Sequence, residues 1–296
     1  MDDNFTIRNI SNYELQSVTN WAKLEGFAPG IGDISIYKNT DKQGVWVACL
    51  NNIPIGSIAC VKYNSFYAFI GLFIVKQEFR HRGYGVKLWS HGLHYLRNID
   101  CIGLEAAPNR VHDYQKWGFE ISSVTKRWKL FGKNNLPKFK FYNDSHSEFK
   151  VVPGDQISSE AVLIYDSQRE PSPRPHFLND WLKNSFGQVK VIVDNNGMCH
   201  GFGRIRPCIL VNNERGWRIG PLLADTPPLA ELLIRELVGT LENEILLDCP
   251  GLNPYAEYLL SNLGFCEISK TFRMYKGTQP PTPMNQVYGL ACLELG

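Results

Sequence analysis

The sequence predicts an α/β (α+β) fold built as two tandem units, each a mixed, mostly antiparallel central sheet flanked by helices. Three observations carry that prediction. The chain has 296 residues, about twice a common single domain. A short signature recurs at one offset: Gly118-Phe119, Ser123, Thr125 and Arg127 return as Gly264-Phe265, Ser269, Thr271 and Arg273, each 146 residues later. Strand-like and helix-like periods also alternate through the first half in the order β-α-β-β-β-α-β-α-β.

Taken in order, Ser11 and Glu14 form a capping box that opens a helix running to Leu24, with Trp21 and Leu24 on its buried face. A long loop follows. Residues 45–50, 53–62 and 66–75 read as three strands joined by the Asn51-Asn52 and Asn64-Ser65 turns, an antiparallel meander. Residues 85–96 have helical spacing, 101–106 form a short apolar strand, 111–117 a short helix, and the chain from Phe119 is again strand-like. Residues 132–150 are polar and punctuated by Asn, Pro, Asp and Ser, which reads as a linker. The expected division is a first domain at 1–133, a linker at 134–147 and a second domain at 148–296. In the second domain the Asn51-Asn52 turn returns as Asn195-Asn196, and residues 229–241 read as a helix.

Composition narrows the function classes. Thirty-one basic against 29 acidic side chains leave a formal charge of +2, too balanced to single out nucleic acid or an anionic membrane as partner. The N-terminus is acidic where a secretory signal is basic, and no apolar run has the length of a membrane span, so the reading is cytoplasmic. Eight cysteines without a Cys-x-x-Cys pair, most inside apolar runs, read as buried reduced thiols. His91 and His94 lack an acidic or Cys neighbour in register, so no metal is expected.

The segment richest in chemistry is Val75-Lys-Gln-Glu-Phe-Arg80-His-Arg-Gly83-Tyr-Gly85-Val86, where an apolar strand passes through a basic, glycine-bearing turn into a helix. Glycines let backbone N–H groups approach an anion, and a helix N-terminus points partial positive charge at it, so a pyrophosphate fits. A Walker loop is excluded by the missing Gly-Lys-Ser/Thr, and a dinucleotide fingerprint by Leu88 where a third small residue belongs.

The pattern Arg80-x-x-Gly83-x-Gly85 after a strand resembles the pyrophosphate-binding motif of the GNAT acetyltransferases, and Tyr114-Gln-Lys-Trp-Gly118-Phe119 is similar to that family's Tyr before Gly-Phe. The segment Trp21 to Pro29, with Gly201 to Pro207 and Gly220 to Asp225, resembles the YitH-like subgroup, which carries a second GNAT-like domain. The resemblance implies acetyl-CoA as cosubstrate, without a metal, and transfer of its acetyl group to a small-molecule amine or a lysine-containing acceptor. It implies that Phe73 and Val75 offer backbone hydrogen bonds to the pantetheine arm. Arg80, His81, Arg82, Gly83, Tyr84, Gly85 and Val86 would cradle the pyrophosphate, with Asn109 a further contact. Tyr114 would protonate the departing thiolate; the competing reading is an aromatic packed on the sheet. For the base, the fourth strand lacks the Glu of many relatives, leaving Glu105, Glu25 and Asp33, each with a plain surface carboxylate as the alternative. Some tandem relatives use a terminal carboxylate, which would place residues 286–296 at the site; the alternative is a strand completing a sheet. Trp21, Phe27, Tyr37 and Trp46 are candidates for an acceptor pocket or for core.

In the second half, Leu222-Leu-Ala-Asp225-Thr-Pro-Pro stands where the phosphate turn would be, and Leu260 replaces the tyrosine, although Asn253-Pro-Tyr-Ala256 keeps the family spacing. That half is expected to bind no cofactor and to cover or shape the acceptor site. The alternative reading of the whole chain is a CoA-binding sensor or interaction protein without turnover.

Overall fold

The computed structural model describes residues 4–132, 136–137, 148–212 and 214–296. In the first half the strands are β1 (Phe5–Asn9), β2 (Val45–Leu50), β3 (Ile53–Lys62), β4 (Tyr67–Val75), β5 (Cys101–Ala106) and β6 (Glu120–Phe131). The helices are α1 (Leu15–Leu24), α2 (Asp33–Thr40), α3 (Tyr84–Tyr95) and α4 (Val111–Gln115). The second half carries β7 (Lys150–Pro153), α5 (Ser159–Ser167), α6 (Pro175–Lys183), β8 (Gln188–Val193), β9 (Cys199–Ile209) and β10 (Arg215–Ala224). It continues through α7 (Pro227–Val238), β11 (Glu244–Pro250), α8 (Ala256–Asn262), β12 (Cys266–Lys276) and β13 (Val287–Gly289). Of the residues read as a linker, only Leu136 and Pro137 lie among those described.

The capping box forms as predicted: Glu14 accepts from the backbone N–H and hydroxyl of Ser11, and Arg8 donates to the same carboxylate. It opens a short 3-10 turn that leads into α1. The buried face of α1 is Val18 and Ala22, while Leu24 is 66% exposed and Trp21 half-buried. The stretch read as a long loop contains α2, whose short span has no clear apolar stripe. Its first-turn Asp33 is fixed instead by Arg206 of β9, a partner 173 positions away that local periodicity cannot reveal.

All the strands form one sheet in the order β1-β2-β3-β4-β5-β12-β6-β11-β10-β9-β8-β7, with β13 added to β10. Each half gives up its last long strand: β12 pairs antiparallel with β5, and β6 pairs antiparallel with β11. The two exchanged strands pair with each other at the centre, where Thr125 lies opposite Thr271, Arg127 opposite Ser269 and Ser123 opposite Arg273. The 146-residue signature is thus the seam itself, and its two copies meet around a pseudo-twofold axis at the threonine pair. The arginines fasten the exchange symmetrically. Arg127 lies opposite Asp248 of β11 and bonds it at 2.6 and 3.0 Å, while Arg273 lies opposite Glu105 of β5 and bonds it at 2.6 Å.

Helices cover both faces. Leu88 and Trp89 of α3 pack on β2–β5, and Leu233, Ile234 and Leu237 of α7 pack on β9–β11. On the opposite face α1, α2, α5 and α6 share one core through Val18, Tyr37, Phe177 and Trp181, with Leu290, Ala291 and Leu295 buried among them. All eight cysteines are free, and only Cys266 is exposed.

Candidate active site

Strands β4 and β5 are paired only from Tyr67–Ile70 to Cys101–Leu104. Beyond that the strands splay, because β4 carries a bulge: its register with β3 shifts between Ser57 and Ala59, and Leu72 takes a φ of 48°. A bulge re-aims a strand and frees its edge, so the backbone around Phe73 and Val75 faces an open wedge. The wedge leads to the turn before α3. There His81 and Gly83 both adopt left-handed backbone, with φ of 63° and 82°, and Gly83 is the N-cap of α3. A side chain on Gly83 would have open space but the wrong backbone for an L-residue. The helix's own bonding resumes with Lys87 N–H to Gly83 C=O at 3.2 Å, so the first-turn amides are available to an anion.

The basic residues of this turn divide their work. Arg82 and His81 are exposed, and Arg82 lies over the Phe79 ring at 5.8 Å. Arg80 folds back, donating Nε–H to Val75 C=O at 2.8 Å and pairing with Glu25 at the end of α1. It holds the turn's shape and links it to residues 26–32. Tyr84 stacks on Phe5 at 5.2 Å, Gly85 sits against Val75 and Phe73, and Val86 is exposed. Asn109 is exposed on the short 3-10 turn after β5.

Tyr114 packs on Trp89 at 5.1 Å, and Phe73 of the splayed strand packs on the same indole at 5.3 Å, so the tyrosine and the wedge belong to one aromatic cluster. Burial pushes the Tyr114 hydroxyl up to about 12, with Arg110 opposing slightly. It therefore stays protonated at neutral pH.

The three predicted carboxylates are not brought together. Glu25 is tied to Arg80. Glu105 is buried at the seam and accepts from Thr125 at 2.9 Å, Thr271 at 2.6 Å and Arg273 at 2.6 Å. Asp33 is fully buried against Arg206. Tyr37 and Trp46 are core, while Trp21 and Phe27 are half-buried against it.

A fourth carboxylate was passed over in the sequence. Glu294 is 4% exposed, and its Oε1 accepts no hydrogen bond among the described residues; Arg218 Nη1 lies 3.5 Å away and Tyr37 Oη 3.5 Å from Oε2. Its backbone crosses β4 at Gly71 so closely that a Cβ there would fall 1.9 Å from the Glu294 carbonyl oxygen. The signal was a single charge inside the apolar run Ala291-Cys-Leu-Glu294-Leu295.

In the second half the corresponding wedge is filled. β10 and β11 pair from Trp217–Ile219 to Ile245–Leu247, and β13 then enters the gap, pairing with Leu222 and Leu223 of β10. Leu290 N–H donates to Asp248 C=O at 2.8 Å, and the Asn253 side chain donates to Val287 C=O at 2.9 Å. Helix α7 begins with Pro227 and Pro228, which have no N–H to offer an anion. Just before it, Asp225 accepts from Tyr165 and Arg169 at 2.7 Å each and pairs with His200 Nδ1 at 2.9 Å. Leu260 is fully buried core. Among the described residues no cluster could hold a metal ion, and no helix is long and apolar enough to cross a membrane.

Comparison with known proteins agrees with this architecture. The acetyltransferase (GNAT) family model matches residues 13–119 and an acetyltransferase (GNAT) domain model matches residues 162–289. The chain belongs to the GNAT acetyltransferase superfamily and carries two GNAT domains. It is an acyltransferase. A holothin acyltransferase from Pseudoalteromonas sp. (strain SANK 73390) is 28% identical over 296 residues, covering 99% of this chain and 95% of that protein. The crystal structure of a proposed acetyltransferase from Pyrococcus horikoshii superposes with a TM-score of 0.78 at 21% identity, over 99% of this chain and 96% of the other. A tandem GNAT protein from the clavulanic acid biosynthesis pathway gives 0.63 at 12% identity, over 94% and 100%.

Proposed function

We propose that the first half binds acetyl-CoA and moves its acetyl group to a primary amine, while the second half binds no cofactor and shapes the acceptor side. The observation that carries this reading is the open β4–β5 wedge running into a left-handed turn and a free helix start, set against the plugged wedge of the other half. Acetyl-CoA supplies an acyl thioester. The backbone at Phe73 and Val75 would take the pantetheine arm. Amides of Gly83, Tyr84, Gly85 and Val86, with the charge of Arg82 and the flanking His81, would take the pyrophosphate, and Asn109 lies where it can touch the nucleotide side. Arg80 positions the turn.

Tyr114 is the proposed proton donor to the departing sulfur, kept protonated by burial. Glu294 is the proposed acceptor of the amine proton, as the buried carboxylate beside the bulge with an oxygen free of hydrogen bonds; Glu25 and Glu105 then hold structure. The acceptor would enter past residues 26–32. Arginines from the exchanged strand and the second half pin that segment: Arg127 donates to Gly26 and Phe27 carbonyls at 3.0 and 3.3 Å, and Arg218 to Phe27 and Ala28 at 3.2 and 3.3 Å. The relative named for acyl transfer to holothin favours a small-molecule acceptor over a protein lysine. The Trp21–Pro29 and Gly201–Pro207 segments favour placement in the YitH-like subgroup.

The test is acetyl-CoA titration by calorimetry, followed in the same sample by free-thiol release over a panel of small amines and lysine peptides. Saturable binding with amine-dependent thiol release is expected. Absence of binding overturns the reading, and binding without release on any amine replaces it with a CoA-binding sensor.

A further inference from the structure

The deeply buried arginines of this protein have carboxylate partners with one exception. Arg127 and Arg218 share Asp248, Arg206 has Asp33, Arg174 has Asp166 and Glu170, and Arg273 has Glu105. Arg204, on β9, is 0% exposed, and its Nε, Nη1 and Nη2 all lack a hydrogen-bond partner among the described residues. Its guanidinium lies 4.8 Å over the Trp181 ring, on which Arg206 also rests at 4.2 Å. A ring face attracts a cation but satisfies none of its five N–H donors. Burial, then Arg206, push Arg204 down to about 9, which leaves it charged at neutral pH. A buried, unpaired charge is among the costliest features a fold can keep.

The surroundings show what is missing. Four buried arginines, 127, 204, 206 and 218, face three buried carboxylates, Asp33, Asp248 and Glu294, so this group is one negative charge short. A cleft of about 690 Å³ lies beside it, between the end of α6, strand β8 and the start of α5. Val189 of the cleft wall is in register with Arg204 across β8 and β9. Gly187, also in the wall, leaves the guanidinium uncovered, since a Cβ there would lie 3.1 Å from Arg204 Nε. Lys183 and Lys190 line the cleft against one acidic residue, Asp155, and Ile157, Val162 and Leu182 give it an apolar side.

We propose that this cleft binds a small carboxylate with an apolar body, its carboxylate pairing with Arg204 through the opening at Gly187. One missing charge matches a monoanion rather than a phosphate dianion, and a planar carboxylate matches the guanidinium fork. The site is separate from the β4–β5 wedge, and the inference does not depend on acyl transfer.

The probe is benzoate, titrated by calorimetry into the full chain at constant ionic strength, with benzamide as the neutral isostere and chloride and phosphate as competitors. Saturable benzoate binding is expected, with benzamide and Arg204→Met each weaker by about tenfold or more. Equal affinity for benzamide, or wild-type affinity in R204M, overturns the site. Displacement of benzoate by equimolar chloride or phosphate overturns the carboxylate assignment. Should R204M fail to fold, wild-type crystals soaked in 4-bromobenzoate decide: a bromine peak in the cleft with its carboxylate on Arg204 supports the proposal, and its absence there rejects it.

Discussion

The two halves of this protein were given the same wedge and have used it in opposite ways. In the first, β4 bulges away from β5 and the gap stays open toward a turn of left-handed residues and an unoccupied helix start. In the second, β13 fills the gap, two prolines begin the helix, and Asp225 already occupies Arg169, His200 and Tyr165. The lesson is that one sheet scaffold binds an anion or excludes it according to a few residues at one strand end.

The largest expected effect tests what joins the halves. Arg273→Met leaves Glu105 buried with only two hydroxyl donors, and the cost is about 3–5 kcal/mol, the range for breaking a buried pair. Arg127→Met should cost less, about 1–2 kcal/mol, because Arg218 still neutralises Asp248. Urea denaturation of both variants checks the order, and equal losses would show the two clamps to be equivalent. Next comes Gly83→Asp, which places a charged side chain on a left-handed N-cap; acetyl-CoA affinity should fall on the order of 100-fold, about 3 kcal/mol. Thr226→Asp, at the N-cap of α7, should leave that affinity unchanged, and any loss would break the contrast between the halves.

Tyr114→Phe should spare binding and slow transfer by about 100-fold. Because burial pushes the tyrosine up to about 12, its ionisation should cause no fall in rate below about pH 11. A tyrosine-dependent alkaline limb near pH 10, measured against the Phe variant, would remove it as the donor. The smallest effect is on stability in acid. Burial alone would raise Asp248, but Arg127 and Arg218 outweigh it and hold the carboxyl at about 2. A depressed carboxyl contributes stability that is present above its unfolded value and lost as pH falls through the folded one. Melting scans should show that loss between about pH 4 and pH 2, diminished in the Arg127→Met variant.

Local signals carried the parts of the fold that local chemistry decides. The capping box, the meander, the phosphate turn and the Tyr-before-Gly-Phe spacing each sit within a few residues, and the structure has them where the sequence suggests. What escaped was decided across long separations. Helix α2 depends on Arg206, and the seam is an exchange of strands that the repeat announced without revealing its pairing. The charges within strand-like runs, Arg204, Arg206, Arg218 and Glu294, looked like ordinary alternation. Only the fold shows that they share one buried interior, and that Glu25 and Glu105 are held by arginines at the phosphate turn and the seam.

The crossing of β6 and β12 also bears on how stability responds to dilution. Between two separate chains such an exchange would make a dimer whose folded fraction depends on concentration. Carried by one polypeptide, the same exchange is unimolecular, with the tether supplying the effective concentration that a partner in solution would have had to provide. The midpoint of unfolding should therefore be the same in dilute and concentrated samples. A fragment holding either half alone, by contrast, would present one bare strand edge and carry one strand with no place in its own sheet.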